Sequence, residues 1–322
     1  MNLDKKVELI KRNTEEVIGE DKLKEILKLK KPVSYCGYEP SGGFKGIHLG
    51  HLVTITKLID LQKAGFHVKV LLADWHAWLN RKGTWEELKK QAKLWENGFK
   101  AAGLKAEFIL GSKFQRNMDY IDDVLTLSLN TTMNRALRSM QEVARDFENA
   151  KVSQVIYPLM QIVDIKYLKI DLVQAGIEQR KIHGLGIELF NLINYKTPAF
   201  VHTPLISSLK GPGKMSSSAP ESMISINDDE NNINKKINEA YCPEGVLEDN
   251  PILQIMKLII FPRNENVIVK RSSKFGGNLE FENYQDLERM FLMRKLHPLD
   301  LKNSCAEYLI EILNPIRKKF KK

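Results

Sequence analysis

The run Val68-Lys69-Val70-Leu71-Leu72-Ala73 is apolar at nearly every position, and no other feature limits the fold of this chain so strongly. A half-exposed strand alternates apolar and polar residues, whereas a near-continuous apolar strand is covered on both faces. Short segments of the same kind recur at Val33 to Gly37, Glu107 to Leu110, Asp171 to Gln174 and Ala199 to His202. Stretches of helical period lie between them: Leu52 to Gln62, Thr84 to Ala102, Asp119 to Leu129 and Val152 to Lys169. This rhythm predicts βαβ units, an α/β fold with a parallel sheet, and ligands at the carboxyl ends of its strands. After about Ile226 the texture changes. Ile233 to Ala240, Pro251 to Ile260, Tyr284 to Arg294 and Leu299 to Leu313 read as helices, and Val267 to Phe281 as a hairpin around Gly276-Gly277-Asn278. A boundary near Asp228 divides the chain into a sheet-containing domain, 1–227, and a smaller, mainly helical domain, 228–322.

A length of 322 residues suits two domains with a large core. The formal charge of +9 suits a polyanionic partner. From Asp228 to Lys322, 16 basic residues face 15 acidic ones, so the excess lies in the first two thirds of the chain. Cys36, Cys242 and Cys305 are far apart and lack CxxC spacing, which predicts neither disulfides nor a dedicated metal site. The charged N-terminus lacks the apolar stretch of a signal peptide, and no run approaches 18 apolar residues. The expectation is a cytoplasmic protein that does not enter a membrane.

Three local patterns carry chemistry. His48-Leu49-Gly50-His51 follows a candidate strand and opens a helix, and a helix N-terminus seats phosphate through its unpaired N–H groups and positive dipole end. The imidazoles of His48 and His51 add donors for a nucleotide there. Lys214-Met215-Ser216-Ser217-Ser218 follows Gly211-Pro212-Gly213 on what reads as a mobile loop. Tyr157, Gln161 and Asp164 stand at i, i+4 and i+7, one polar stripe on an otherwise apolar helix, which is the pattern of a buried helix lining a polar cavity. Pro158 belongs near the start of that helix or kinks it.

In this order, the first two strings resemble the HIGH and KMSKS signatures of class I aminoacyl-tRNA synthetases. Val155 to Gln161, Glu178 to His183, Tyr35 to Gly42, Leu71 to Ala77 and Phe275-Gly276-Gly277 are similar to the tyrosyl-tRNA synthetases of archaea and eukaryotes, and the likeness runs over essentially the whole chain. It implies a Rossmann-type catalytic domain followed by a helical anticodon-recognition domain, working as a homodimer on L-tyrosine, ATP with Mg2+ on its phosphates, and tRNA(Tyr). Tyr35 and Asp164 would hold the tyrosine phenol; an ionised carboxylate only accepts, so it selects a substrate with an O–H to donate. Tyr157, Gln161 and Gln179 would meet the substrate ammonium. Gly37, Glu39, His48, Gly50, His51, Lys214 and Ser217 would surround ATP, with His48, His51, Lys214, Ser216 and Ser217 assisting adenylation. Arg180 would meet the first acceptor-stem pair, and Phe275, His297 and Asp300 the anticodon.

The chain departs from the family pattern in places. Gly43-Phe44-Lys45-Gly46-Ile47 lengthens the turn before His48, Ser217 replaces the second lysine of the loop signature, and Ala219-Pro220 follows it. Tryptophanyl-tRNA synthetase is the nearest alternative, although an indole offers one N–H and fits the Tyr35–Asp164 pair less well. A small-molecule nucleotidylyltransferase would also place HxGH at a helix start but would leave the second domain and Lys214 to Ser218 unexplained. An inactive RNA-binding relative is a third reading, opposed by the intact His48, His51 and Lys214.

Overall fold

A computed structural model of the chain describes residues 1–42, 46–143, 149–215 and 219–320. The chain forms two compact units, Met1–Gly43 with Lys57–Pro204, and Phe44–Thr56 with Leu205–Lys322. The first unit contains α1 (Leu3–Lys11), β1 (Glu16–Ile18), α2 (Leu23–Ile26), β2 (Val33–Tyr38), the second half of α3 (Leu49–Ala64) and β3 (His67–Leu72). It continues through α4 (Asp74–Leu79), α5 (Trp85–Ala101), β4 (Glu107–Leu110), α6 (Met118–Leu129), α7 (Met133–Ser139), α8 (Val152–Tyr167), β5 (Leu172–Gly176), α9 (Arg180–Leu189) and β6 (Ala199–Thr203).

Its six strands are ordered β1-β6-β5-β2-β3-β4. All neighbours are parallel except β1, which closes one edge antiparallel to β6. Successive strands run outward from β2 in both directions, so the winding reverses between β2 and β5, where open α/β sheets leave a crevice for ligands. The sheet is the Rossmann-like arrangement that the strand rhythm predicts. Every residue of β5 and β6 is buried, as are Val68, Val70, Leu71 and Leu72. The one charge in that run, Lys69, extends its Nζ to the Leu168 carbonyl at the end of α8 (2.9 Å), satisfying a carbonyl that the helix leaves unpaired.

Helix starts carry the caps that their sequences offer. Thr84 and Glu87 form a reciprocal capping box on α5, and Asn117 caps α6. Pro158 lies in the interior of α8, not near its start, and lacks the N–H that would bond the Gln154 carbonyl. The short β1 has no counterpart in the strand pattern read from the sequence, because three residues are too few to show a period.

The second unit holds the first half of α3, a small hairpin of β7 (Ser207–Ser208) and β8 (Gly211–Lys214), α10 (Glu230–Glu239), and α11 (Pro251–Ile255) running into a π turn, Met256–Ile260. Then come β9 (Val267–Val269) and β10 (Leu279–Phe281), paired antiparallel as the ends of the expected hairpin, α12 (Tyr284–Leu292) and α13 (Pro298–Phe320). Ile233 and Ile237 of α10 and Leu301, Cys305, Leu309 and Leu313 of α13 are fully buried. The three cysteines are free and buried. Among the described residues no helix is long and apolar enough to cross a membrane.

Lys57, 3% exposed, donates to the carbonyls of Leu9 (3.2 Å), Ile10 (3.0 Å) and Arg12 at the end of α1, beside Asp60, which Arg12 also pairs. Lys57→Ala removes the donor from these three carbonyls, that of Ile10 in a buried setting. It is expected to lower stability by about 3 kcal/mol in urea unfolding; a loss below about 0.5 kcal/mol, as at an ordinary surface site, would show that water replaces the lysine.

Candidate active site

Asp164 is fully buried in α8. Its Oδ1 accepts from the Gln115 amide (2.8 Å) and the Tyr120 hydroxyl (2.9 Å), and that hydroxyl also lies 2.9 Å from the Met160 carbonyl. Burial raises the Asp164 carboxyl to about 7, against the lowering effect of these two hydrogen bonds. His76 Nε2 stands 3.6 Å from Asp164 Oδ2. Burial lowers His76 to about 4, so near neutral pH it is an uncharged imidazole. Asp164 Oδ2, His76 Nε2 and Gln115 Oε1 are buried without a hydrogen-bond partner among the described residues. Buried polar atoms of this kind mark a place built to receive a donor or acceptor from a ligand.

Tyr35, on β2 and 2% exposed, belongs to the same core as Tyr120. Burial, then the negative charge of Asp164, holds its phenol protonated. Gly37 lies close beside it: a Cβ there would stand 3.1 Å from the Tyr35 hydroxyl, tighter than ordinary contact. The other two members of the α8 stripe face the same interior. Tyr157 is buried and sets its ring edge-on to His76 with centroids 4.6 Å apart; burial, then the nearby charge of Glu39, holds its phenol protonated. Glu39 also accepts from the Asn80 amide (3.2 Å) and pairs with Lys82. Gln161 donates to the Gln179 Oε1 (3.2 Å), just beyond the carboxyl end of β5. The structure thus brings together Gln161 with Gln179, places Tyr157 against Glu39, and sets Tyr35 in the field of Asp164. Gln115, Tyr120 and His76 are additions to the set read from the sequence. Only His76 lay in a quoted motif; Tyr120 has the period of a core aromatic, and Gln115 gives no local signal.

The second unit holds both signature strings. Residues 47–49 run against 224–226: the Leu49 N–H donates to the Ile224 carbonyl (3.0 Å), and the Ile226 N–H to the Ile47 carbonyl (3.1 Å). Gly50 N–H donates to His48 Nδ1 (3.1 Å) and His48 N–H to His51 Nδ1 (3.3 Å). Each Nδ1 is therefore an acceptor, which leaves Nε2 as the donor of each ring. Burial lowers His48 to about 4 and keeps it uncharged. Gly50 leaves room for this arrangement, because a Cβ would lie 2.8 Å from His48 Cε1. Together with the N-terminus of α3, the two imidazoles make a set of donors suited to an anion.

Lys214 ends strand β8, paired with Ser207, and is exposed. Its segment was expected to be a loop, but Gly211 and Gly213 take positive φ (114° and 103°) and let the chain turn back into a bulged hairpin. Ser216, Ser217 and Ser218 lie outside the described residues, as do Gly43, Phe44 and Lys45. Arg180 opens α9 and makes a bidentate pair with Glu16. In the second unit Phe275 is 60% exposed on a turn continued by Gly276 and Gly277. His297 Nδ1 accepts from the Leu299 N–H (3.1 Å) at the start of α13, with Asp300 in its first turn. Arg271 bonds the Gly277 carbonyl (2.9 Å) and the Lys295 carbonyl (3.2 Å), tying the Phe275 turn to the segment before His297.

A family model described as tRNA synthetases class I (W and Y) matches residues 28–314. The chain is 48% identical over 317 residues to a tyrosine–tRNA ligase of Methanosarcina barkeri, an alignment covering 97% of this chain and 98% of that protein. The crystal structure of a tyrosyl-tRNA synthetase complexed with L-tyrosine from Archaeoglobus fulgidus is similar with a TM-score of 0.96 at 47% identity, covering 99% of this chain and 100% of that one. A tryptophanyl-tRNA synthetase from Aeropyrum pernix shares the fold at 21% identity, with a TM-score of 0.74 over 93% of this chain and 82% of that one. The chain belongs to the class I tRNA synthetases of the tryptophan and tyrosine family.

Proposed function

We propose that this chain is a tyrosine–tRNA ligase, which activates L-tyrosine with ATP and transfers the tyrosyl group to the 3′-terminal adenosine of tRNA(Tyr). The observation that carries the choice of amino acid is the buried Asp164 carboxylate, with Oδ2 unpartnered among the described residues and Tyr35 in its field. A phenol donates its O–H to such an oxygen and accepts from the Tyr35 hydroxyl. Phenylalanine has neither group and would leave both buried and unpaired. Gln115 and Tyr120 hold the carboxylate in place, which confines the substrate O–H to the remaining oxygen. The Tyr157 hydroxyl oxygen and the carbonyl oxygens of Gln161 and Gln179 are acceptors for the substrate ammonium.

Adenylation is an in-line attack of a tyrosine carboxylate oxygen on the α-phosphorus of ATP: the new O–P bond forms as the α–β phosphoanhydride bond breaks, and pyrophosphate leaves with the Mg2+ that ATP would carry on its phosphates. Charge grows on phosphoryl oxygens, so catalysis rests on positioning and on electrostatic stabilisation. His48 and His51 donate Nε2–H to phosphate, Gly37 and Glu39 flank the nucleotide, and Lys214 supplies positive charge, with Ser216 and Ser217 beside it. Arg180 meets the first acceptor-stem pair, and Phe275, His297 and Asp300 read the anticodon within the helical domain, 228–322; an exposed ring offers a stacking surface for an unpaired base.

The enzyme acts in the cytoplasm as a homodimer. Its α6 exposes Met118, Ile121, Leu125 and Leu129, a stripe at i, i+3, i+7 and i+11 ending in Leu129 at 87% exposure. A contiguous apolar stripe of this kind on a helix marks a protein interface, and we assign it to the second copy.

Tyrosine-, tryptophan- and phenylalanine-dependent ATP–pyrophosphate exchange tests the reading. Exchange with tyrosine alone supports it; exchange with tryptophan overturns Tyr35 and Asp164 as phenol ligands. Asp164→Asn loses a charge-assisted hydrogen bond and is expected to lower kcat/KM for tyrosine by about 10- to 100-fold. In the native enzyme that parameter falls as pH drops through about 7, because the raised carboxyl then takes up a proton and loses the charge that draws the phenol; a flat profile from pH 6 to 8 would remove this role. Leu125→Asp places a charge in the α6 stripe, and sedimentation should then find monomers where the parent chain sediments as a dimer.

A further inference from the structure

The antiparallel register at the sheet edge sets Glu16 of β1 opposite His202 of β6, and cross-strand partners lie on the same face. Glu16 Oε2 stands 3.1 Å from His202 Nδ1, and His202 Nε2 stands 2.8 Å from His183 Nδ1 on α9. The two imidazoles meet edge to edge and nearly coplanar, 5.1 Å between centroids and 17° between planes, and are almost wholly buried. Burial holds both rings in the neutral form. A neutral imidazole has one donor and one acceptor, and a carboxylate only accepts. His202 therefore donates through Nδ1 to Glu16 and accepts at Nε2 from His183, so every proton in the chain has one possible place.

The carboxylate is shared with Arg180. Arg180 Nε lies 2.8 Å from Oε2 and Nη2 2.8 Å from Oε1, a side-on fork. Arg180 and His183 are three residues apart on α9, on neighbouring positions of one helix face. Side-on pairing occupies the Nε edge of the guanidinium and turns the end carrying Nη1 and the second Nη2 hydrogen away from Glu16, with the side chain 56% exposed.

We propose that Glu16, anchored by His202 and His183, is a positioning residue that aims the Nη1/Nη2 end of Arg180 at a base edge in the acceptor end of tRNA. The inference rests on the reading that Arg180 meets the first acceptor-stem pair. An unpaired arginine on a surface is attracted by any phosphate and carries no sequence information. Pairing with Glu16 cancels its charge and fixes its plane, leaving an end-on fork whose geometry matches the two acceptors on the major-groove edge of guanine. The device favours discrimination between base pairs over raw affinity, and it has no part in tyrosine activation.

The experiment compares aminoacylation of two transcripts, one with the native first acceptor pair and one with that pair reversed, by the full-length enzyme. Glu16→Gln keeps the shape of the side chain and removes the charge that holds the fork. It is expected to lower discrimination between the transcripts by about tenfold, while tyrosine-dependent pyrophosphate exchange and the KM for native tRNA stay within about threefold. His202→Asn, which retains an N–H donor near the Nδ1 position, should keep more discrimination than His202→Phe, which retains none. Arg180→Ala separates the two levels of the argument. If Arg180→Ala loses discrimination and Glu16→Gln keeps it, Glu16 is not the positioning residue. If Arg180→Ala discriminates as well as the parent, the assignment of Arg180 itself fails and the proposal falls with it. Loss of pyrophosphate exchange in Glu16→Gln would assign Glu16 a general structural role and overturn the proposal.

Discussion

Both neighbours of β2 run parallel to it, and that pairing governs the first unit. A parallel neighbour cannot be reached by a tight turn, so a long crossover must carry the chain back each time. Successive strands leave β2 in opposite directions, and the crossovers therefore cannot both cover its carboxyl end. Tyr35, Gly37 and Glu39 are on or just past β2, and Gln179 is just past β5, for this reason. The helix that leads into β5 is α8, and its polar stripe of Tyr157, Gln161 and Asp164 faces the interior that the crossover creates.

Burying polar groups in such a core is costly unless each one finds a partner. Many do, although among the described residues Ser34 Oγ, Asp74 Oδ2 and Gln174 Oε1 are buried without a hydrogen-bond partner. Lys69 ends on the Leu168 carbonyl, Lys57 on three carbonyls at and just past the end of α1, and Asp74 Oδ1 takes the N–H groups of Trp75 and Ser112. In the pocket the accounting stays incomplete by design: Asp164 Oδ1 is satisfied twice while Oδ2 is left without a described partner. The double donation to Oδ1 leaves Oδ2 as the oxygen of Asp164 open to a further donor. It also explains why a carboxyl raised to about 7 is tolerated at the centre of the unit, since two donors offset part of the desolvation that a bare buried carboxylate would suffer.

Much of this was legible in the sequence, and the limits of that legibility are physical. The apolar run at Val68 to Ala73 and its companions gave the five parallel strands, because a strand covered on both faces has little choice of residue. The i, i+4, i+7 spacing of Tyr157, Gln161 and Asp164 gave the buried stripe, because helical period is a local property. Tyr120 and Gln115 were out of reach. Each meets Asp164 across more than 40 residues of chain, and no local pattern encodes that meeting. Glu16 was equally silent, since a three-residue edge strand has no period and its partner His202 is far along the chain. The hairpin at Lys214 was misread as a loop because glycine and proline signal a turn without saying whether the flanking residues pair.

The sequence alone determined the alternation of strands and helices, the two signature strings, the pair of histidines at a helix start and the family to which the chain belongs. Each depends on spacing along the chain, and spacing survives without a fold. Tertiary structure alone decided which oxygen of Asp164 is left for a ligand, why Gly50 must lack a side chain beside His48, and that Arg180 is held by a carboxylate backed by two buried imidazoles. Those outcomes depend on which distant residues meet, in what orientation and how far from water. Hydrogen bonds act over about 3 Å and burial requires many neighbours at once, so such properties exist only after the chain has closed on itself.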